Sequence, residues 1–183
     1  MTRAETTKFL GELLKRDRFR GMGKYWASEV SIDAFTAAGK GSRVDFMQFV
    51  PQNQCSIGAL EKGIFICYEI KSCKEDVYSG NGLNFYGEKN YIVTTMQCYK
   101  DILTDLRNGT FNEHLRKANP KSSAHYGIMV AVPVMRDKYK EFEEPTPISS
   151  DISWRLEIIQ PCIIGSREKS LTELLFCMVR SGK

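Results

Sequence analysis

Runs of apolar residues with strand-like alternation predict six β-strands in this chain. The predicted strands cover residues 25–34, 43–50, 63–72, 90–95, 126–132 and 154–159, and the last is predicted to be an edge strand. The apolar run of 63–72 is nearly continuous, which is typical of a central strand covered on both faces. Residues 36–42, rich in Gly and Ala, predict a hairpin turn between the first two strands.

Three segments carry apolar residues at helical spacing. Thr2 and Glu5 have the spacing of a capping box and predict a helix over 2–16. A second helix is predicted over 96–108, ended by Gly109, and a third from Ser170 to near residue 182. Residues 74–89, with three glycines, predict a short turn or helix and then a loop, and the charged, proline-bearing segment 136–151 predicts an exposed loop.

This order of elements predicts an α/β fold, a mixed β-sheet flanked by helices on both faces. The chain has 183 residues, 42% of them hydrophobic and 26% charged, which suits one folded domain over residues 1–183. The sequence shows no internal repeat and no low-complexity segment.

Charge and cysteine content narrow the class of protein. The net charge of +4 is compatible with nucleic-acid binding without indicating it, and basic residues crowd the first 24 positions, at Lys8, Lys15, Arg16, Arg18, Arg20 and Lys24. This cluster is interpreted either as a phosphate-facing patch or as a solvated helix face. The six cysteines form no C-x-x-C pair, so neither a zinc site nor a disulfide framework is expected.

The chain starts with polar residues and has no apolar run long enough to span a bilayer, which takes about 18 residues. We therefore expect no membrane partner, a cytoplasmic location and reduced thiols.

Charged residues interrupt two of the apolar runs. Asp45 lies in the second predicted strand, and Glu69 and Lys71 lie near the end of the third. Because side chains alternate along a strand, Glu69 and Lys71 point to the same face, about 6.5–7 Å apart. Such charges are costly in a core strand unless they pair with each other or with a metal. Two carboxylates and an ammonium suit a site that holds Mg²⁺ and activates a water.

The ordered set Asp45, then Glu69-x-Lys71, resembles the PD-(D/E)xK nuclease superfamily. Val44 stands where the motif has proline, but the stretch 68–76 is similar to the E-(I/V)-K-S-x-x-x-D text of MmcB-like DNA repair proteins and their phage relatives. Residues 82–93 fit the phage-type version, and the resemblance covers roughly 24–134. It implies a restriction-endonuclease-like αβββαβ core, in which the helix after the Glu-x-Lys strand is here cut short by glycines.

The candidate catalytic residues are Asp45, Glu69, Lys71 and Glu29. Mg²⁺ or Mn²⁺ is expected on the Asp45 and Glu69 carboxylates, and the resemblance implies the main-chain carbonyl of Ile70 as a further ligand. Lys71 is expected to orient or deprotonate the attacking water. Glu29 is interpreted either as an additional acidic site residue or as a paired surface carboxylate, and Asp33 competes with it for the first role.

Nucleic-acid contacts are predicted for Arg43, Ser72, Lys74 and Asn84, with Tyr86 as a further candidate; the alternative is that the loop residues only form turns. The predicted function is a Mg²⁺-dependent deoxyribonuclease acting in repair, recombination or phage genome processing. The alternative is a non-catalytic module of the same fold that binds a protein partner, for example a phage protein inhibiting a host nuclease or defence system. The sequence leaves a homodimer open.

Overall fold

The computed structural model describes residues 1–32, 41–120 and 125–181. Within them the strands form one six-stranded mixed sheet in which neighbours in sequence are neighbours in space. The strands are β1 (Tyr25–Ile32), β2 (Ser42–Val50), β3 (Ile64–Lys71), β4 (Lys89–Thr95), β5 (Gly127–Pro133) and β6 (Trp154–Gln160).

Helices connect and flank these strands. They are α1 (Arg3–Leu14), α2 (Ile57–Glu61), α3 (Lys74–Val77), α4 (Met96–Asn108), α5 (Thr110–Ala118), α6 (Lys138–Glu143) and α7 (Leu171–Ser181), with a π-helical turn at Lys15–Phe19 after α1. The predicted Thr2–Glu5 capping box is present, and Gly109 ends α4 in the left-handed conformation. The short helices α2, α5 and α6 were not predicted. Two of them have only five or six residues, and α5 begins directly after Gly109, where the predicted helix was taken to end.

The sheet combines two kinds of pairing. β1, β2 and β3 form an antiparallel meander, β3, β4 and β5 run parallel, and β6 pairs antiparallel with β5 as an edge strand. The predicted α/β fold with a mixed sheet flanked by helices is therefore confirmed, as is the edge position of the last strand.

Each face of the sheet has its own apolar layer. On one face, Leu10 and Leu14 of α1 pack with Tyr68 and Ile70 of β3. On the other face, α4 and α5 cover the parallel strands, and α7 covers the meander. Consequently β3 is buried on both sides, as its continuous apolar run predicts, and Glu69 and Lys71 lie on the face opposite α1.

The prediction of an exposed loop over 136–151 is right only in part: all of the segment except Glu141 is exposed or half-buried, but it is not all loop. This segment contains α6, and the Glu141 side chain is fully buried. Its carboxylate accepts hydrogen bonds from the Thr146 N–H at 2.6 Å and the Thr146 hydroxyl at 2.8 Å, and Arg136 forms an ion pair with it at 3.3 Å. The charged composition suggested solvent exposure, whereas these contacts compensate the burial of the carboxylate.

Asp33 and most of the predicted 36–42 turn lie outside the described residues, although β1 and β2 do pair antiparallel. No helix in the described part of the chain has the length and apolar character that crossing a membrane requires.

Candidate active site

The site begins where β2 and β3 separate. Their antiparallel pairing runs from Val50 opposite Ile64 to Phe46 opposite Tyr68 and stops there. The next residue of β2, Asp45, instead uses its Oδ2 atom to accept the N–H of Ile70 at 2.8 Å. Since the N–H and C=O of one residue in a strand point to the same side, the Ile70 carbonyl also faces this gap.

A polar cleft of about 640 Å³ opens at the gap. It is lined from β2 and β3 by Arg43, Asp45, Glu69, Ile70 and Lys71. The remaining lining comes from α1, from the segment that follows β3 and from the end of α5, and it includes Arg3, Thr7, Asp76, Asn81, Gly82, Asn84 and Asn119. The structure thus brings together the predicted metal and catalytic residues Asp45, Glu69, Ile70 and Lys71.

Glu69 is fully buried at the bottom of this cleft. Its Oε1 atom accepts the Asn84 N–H at 3.2 Å, but its Oε2 atom has no hydrogen-bond partner. Burial, followed by the nearby charge of Asp45, raises the pKa of Glu69 well above its usual range. Burial also raises the pKa of Asp45, although the Ile70 N–H and the Lys71 charge oppose that rise.

Lys71 lies beside Glu69, and its side chain is almost completely buried. Its ammonium donates to the main-chain carbonyl of Asn81 at 2.6 Å and lies 3.9 Å from Asp76 Oδ1. The other oxygen of Asp76 accepts the Ser72 N–H at 3.1 Å and the Ser72 hydroxyl at 3.2 Å. Asp76 therefore holds the turn directly after Lys71.

The loop at Gly80–Asn84 covers Glu69 and Lys71. Gly80, Gly82 and Leu83 all have positive φ angles, of 75°, 74° and 59°. A Cβ atom at Gly82 would lie 2.6 Å from Glu69 Oε2 and 3.0 Å from the Lys71 ammonium. Glycine at position 82 therefore lets the loop backbone close over the two charged groups.

Not every predicted residue reaches the cleft. Glu29 is exposed, has a φ of 55°, and pairs with Arg43 at 2.8 Å at the cleft rim, the geometry of a paired surface carboxylate. Ser72 is buried against Asp76. Lys74 points to α4, where it pairs with Asp105 at 2.9 Å. The predicted phosphate contacts of Ser72 and Lys74 are therefore not supported by their positions.

Asn84 does line the cleft, but its side chain is already bonded within the protein. Its Nδ2 donates to the Arg43 carbonyl at 2.7 Å, and its Oδ1 accepts the Asn119 amide at 2.7 Å. Tyr86 is buried and donates to the Ser42 hydroxyl at 2.9 Å. Both side chains thus bridge the covering loop to the start of β2, which is a structural role.

Apart from Lys8, which lies within α1, the basic cluster of the first 24 residues follows the end of α1 that is far from the cleft. Arg3 lines the cleft from the first turn, whereas Arg16–Arg20 follow the helix, which at 12 residues is about 18 Å long. Arg16 donates to the Trp154 carbonyl and to Asp17, and Asp17 accepts the Leu156 N–H at 2.8 Å. These bonds attach the π-helical turn to β6 and hold it away from the cleft.

Sequence reasoning missed Arg3, Asp76 and Asn119 as cleft residues. Asp76 is the last residue of the E-x-K-S-x-x-x-D motif, so the sequence did offer an indication of its role. Arg3 and Asn119 carry no local signal, because α1 and α5 bring them to the cleft through tertiary packing.

The donor set of the cleft fits a hard divalent cation. Asp45, the unpartnered Glu69 oxygen and the gap-facing Ile70 carbonyl are all oxygen donors, which Mg²⁺ and Mn²⁺ prefer. Across the described ranges, no three His, Cys, Asp or Glu side chains form a metal-holding group. The proposed set contains only two such side chains and takes its third donor from the main chain.

Comparisons with protein-family models, curated proteins and solved structures gave no match to this chain. The PD-(D/E)xK relationship therefore stays a prediction from the sequence.

The close fit at Gly82 predicts unequal effects of two glycine substitutions. Gly80→Ala places a side chain at a positive φ in open space and should cost about 1 kcal/mol of unfolding free energy. Gly82→Ala carries the same strain and also displaces Glu69 or Lys71, so it should cost at least about 1 kcal/mol more. Urea unfolding of both variants measures the difference; equal costs would show that the loop does not press on the charged pair.

The raised pKa of Glu69 predicts how stability changes with pH in EDTA. Folding favours the protonated carboxyl. The stability that this group contributes is therefore fully present at pH values below its unfolded-state pKa and is lost as the pH rises through its folded-state pKa. Glu69→Gln removes the ionisation, and its stability relative to wild type should therefore increase from pH 4 toward pH 8. Urea unfolding across this range tests it, with exposed Glu61→Gln as control; a constant difference contradicts the expectation.

Proposed function

We propose that this chain is a metal-dependent nuclease that hydrolyses phosphodiester bonds in DNA. The observation that carries the proposal is the unpartnered Oε2 of Glu69, which lies buried beside Asp45 and Lys71 in the lining of one polar cleft. An isolated carboxylate pair without a partner for one of its oxygens is costly, and a divalent cation removes that cost. The resemblance to PD-(D/E)xK nucleases, with their restriction-endonuclease-like core, supports the same proposal.

Asp45, Glu69 and the Ile70 carbonyl are the proposed holders of Mg²⁺ or Mn²⁺. When bound, such an ion offsets charge on the phosphate and lowers the pKa of a coordinated water. Asp45 is already oriented by the Ile70 N–H, and Glu69 by the Asn84 N–H, so these carboxylates need little reorganisation.

Lys71 is the proposed catalytic cation of the chain itself. Its ammonium lies in the same cleft, held by the Asn81 carbonyl and close to Asp76. From this position it orients the attacking water and stabilises the negative charge that develops on the phosphate oxygens. The buried setting strengthens this interaction relative to one in bulk water.

Repair, recombination or phage genome processing in the cytoplasm are the proposed settings of this activity. Of the residues that the sequence predicts to contact nucleic acid, Arg43 remains the candidate for a phosphate contact, because it lies at the cleft rim.

A non-catalytic binding module is the second candidate function. It is favoured by the closed covering loop, since Lys71 is bonded to Asn81 and Glu69 has no exposed surface. In that case Asp45, Glu69 and Lys71 form a structural ion triad, and a protein partner such as a host nuclease is the ligand.

Cleavage assays separate the two functions. Asp45→Asn and Glu69→Gln should abolish Mg²⁺- or Mn²⁺-dependent cleavage of DNA, and Lys71→Ala should lower turnover about 100-fold or more. DNA binding should survive all three substitutions, because the first two remove negative charge and Lys71→Ala leaves the other cleft cations, such as Arg43, in place. The assay uses linear, nicked, single-stranded and branched DNA with EDTA in parallel.

Lys62→Ala is the matched control, since it removes an exposed charge just before the opposite end of β3 and should keep full activity. Glu29→Gln should have little effect, because this side chain is exposed at the rim. A wild-type protein that cuts no substrate with either metal would falsify the nuclease proposal and leave the binding module.

A further inference from the structure

The geometry points to Arg3, on the first turn of α1, as a residue that binds a backbone phosphate of the DNA strand in the cleft. This inference rests on the proposed nuclease function and assigns the role to an element outside the region of family resemblance. It makes α1 part of the substrate site rather than only a support for the sheet.

Arg3 is positioned in the cleft by an ion pair. Its Nη2 atom contacts Asp76 Oδ1, and Asp76 is in turn fixed by two hydrogen bonds from Ser72. The Arg3 side chain nevertheless remains 59% exposed. A guanidinium has five N–H donors, so the pair with Asp76 uses only part of its hydrogen-bonding capacity.

The helix that carries Arg3 is rigidly attached to the site. Its first turn is closed by the Thr2–Glu5 capping box, and Leu10 and Leu14 are fully buried against the sheet. Arg3 is therefore partly ordered before any ligand arrives. Pre-ordering reduces the side-chain entropy that is lost when the guanidinium binds a phosphate.

The charges around Arg3 favour a polyanion. Three cations and three carboxylates line the cleft: Arg3, Arg43 and Lys71 with Asp45, Glu69 and Asp76. A divalent ion on Asp45 and Glu69 makes this set net positive. Arg3 and Lys71 both approach the same oxygen of Asp76, so their cationic groups lie close together, and Arg3 is within reach of a strand whose phosphate lies at Lys71.

Planar bidentate recognition explains the use of arginine here. The guanidinium fork matches two phosphate oxygens, whereas a lysine ammonium binds as a point charge. Arg3→Lys should therefore keep the electrostatic attraction and lose affinity, while Arg3→Gln should lose both.

The test measures binding of a labelled DNA duplex and a labelled single strand by fluorescence anisotropy over a series of salt concentrations, at a fixed concentration of Ca²⁺, a hard cation that takes the same oxygen ligands. Losing one phosphate contact should reduce the salt slope of Arg3→Gln by about 0.9 for the duplex or about 0.7 for the single strand, with several-fold weaker binding at low salt. Arg3→Lys should keep the wild-type slope with weaker binding. If Arg3→Gln does not fold, as judged by circular dichroism, the test is the DNA affinity of Arg3→Lys compared with that of wild type.

Lys8→Gln is the charge control, because it removes one exposed positive charge from the same helix without touching the cleft. Equal slopes for Arg3→Gln and wild type, or an equal loss for Lys8→Gln, overturn the role of Arg3 while DNA binding and cleavage by wild type still stand. If Arg3→Lys binds as tightly as wild type, the bidentate contact is overturned. A wild-type protein that binds no DNA at low salt overturns this inference together with the proposed function.

Discussion

The hydrogen bond from the Ile70 N–H to the Asp45 carboxylate is the interaction on which the candidate site depends. It replaces the next backbone pairing between β2 and β3 by a side-chain acceptor, so the strands part without leaving a buried N–H unsatisfied. The gap turns the Ile70 carbonyl and the Asp45 carboxylate toward the same space as Glu69. If β2 and β3 continued their regular pairing at this point, hydrogen-bonded main chain would fill that space.

The cost of this arrangement is concentrated in Glu69. Its burial under the Gly80–Asn84 loop raises its pKa and leaves one oxygen without a partner, which is expensive for a structural residue. Glu141, by contrast, is equally buried, and both of its oxygens accept hydrogen bonds. This contrast between two buried glutamates supports the proposal that Glu69, unlike Glu141, binds a cation.

The sequence predicts the parts of the fold and site that depend on local pattern. The strand period places Glu69 and Lys71 on one face, and the apolar runs give all six strands and three of the helices. Contacts between distant segments were beyond such patterns: Lys74 turns toward Asp105, and α1 brings Arg3 into the cleft. The burial of Glu141 was missed for a different reason, because its partners Arg136 and Thr146 lie within its own segment and no periodic pattern indicates such contacts.

The most direct test of the account is Mn²⁺ binding in the absence of DNA, measured by isothermal titration calorimetry on wild type and Glu69→Gln. The unpartnered Glu69 oxygen predicts binding to wild type that is lost in Glu69→Gln, while the variant stays folded. Wild-type protein that binds no Mn²⁺, or a Glu69→Gln variant that binds it equally well, would contradict a divalent-cation site at the separation of β2 and β3.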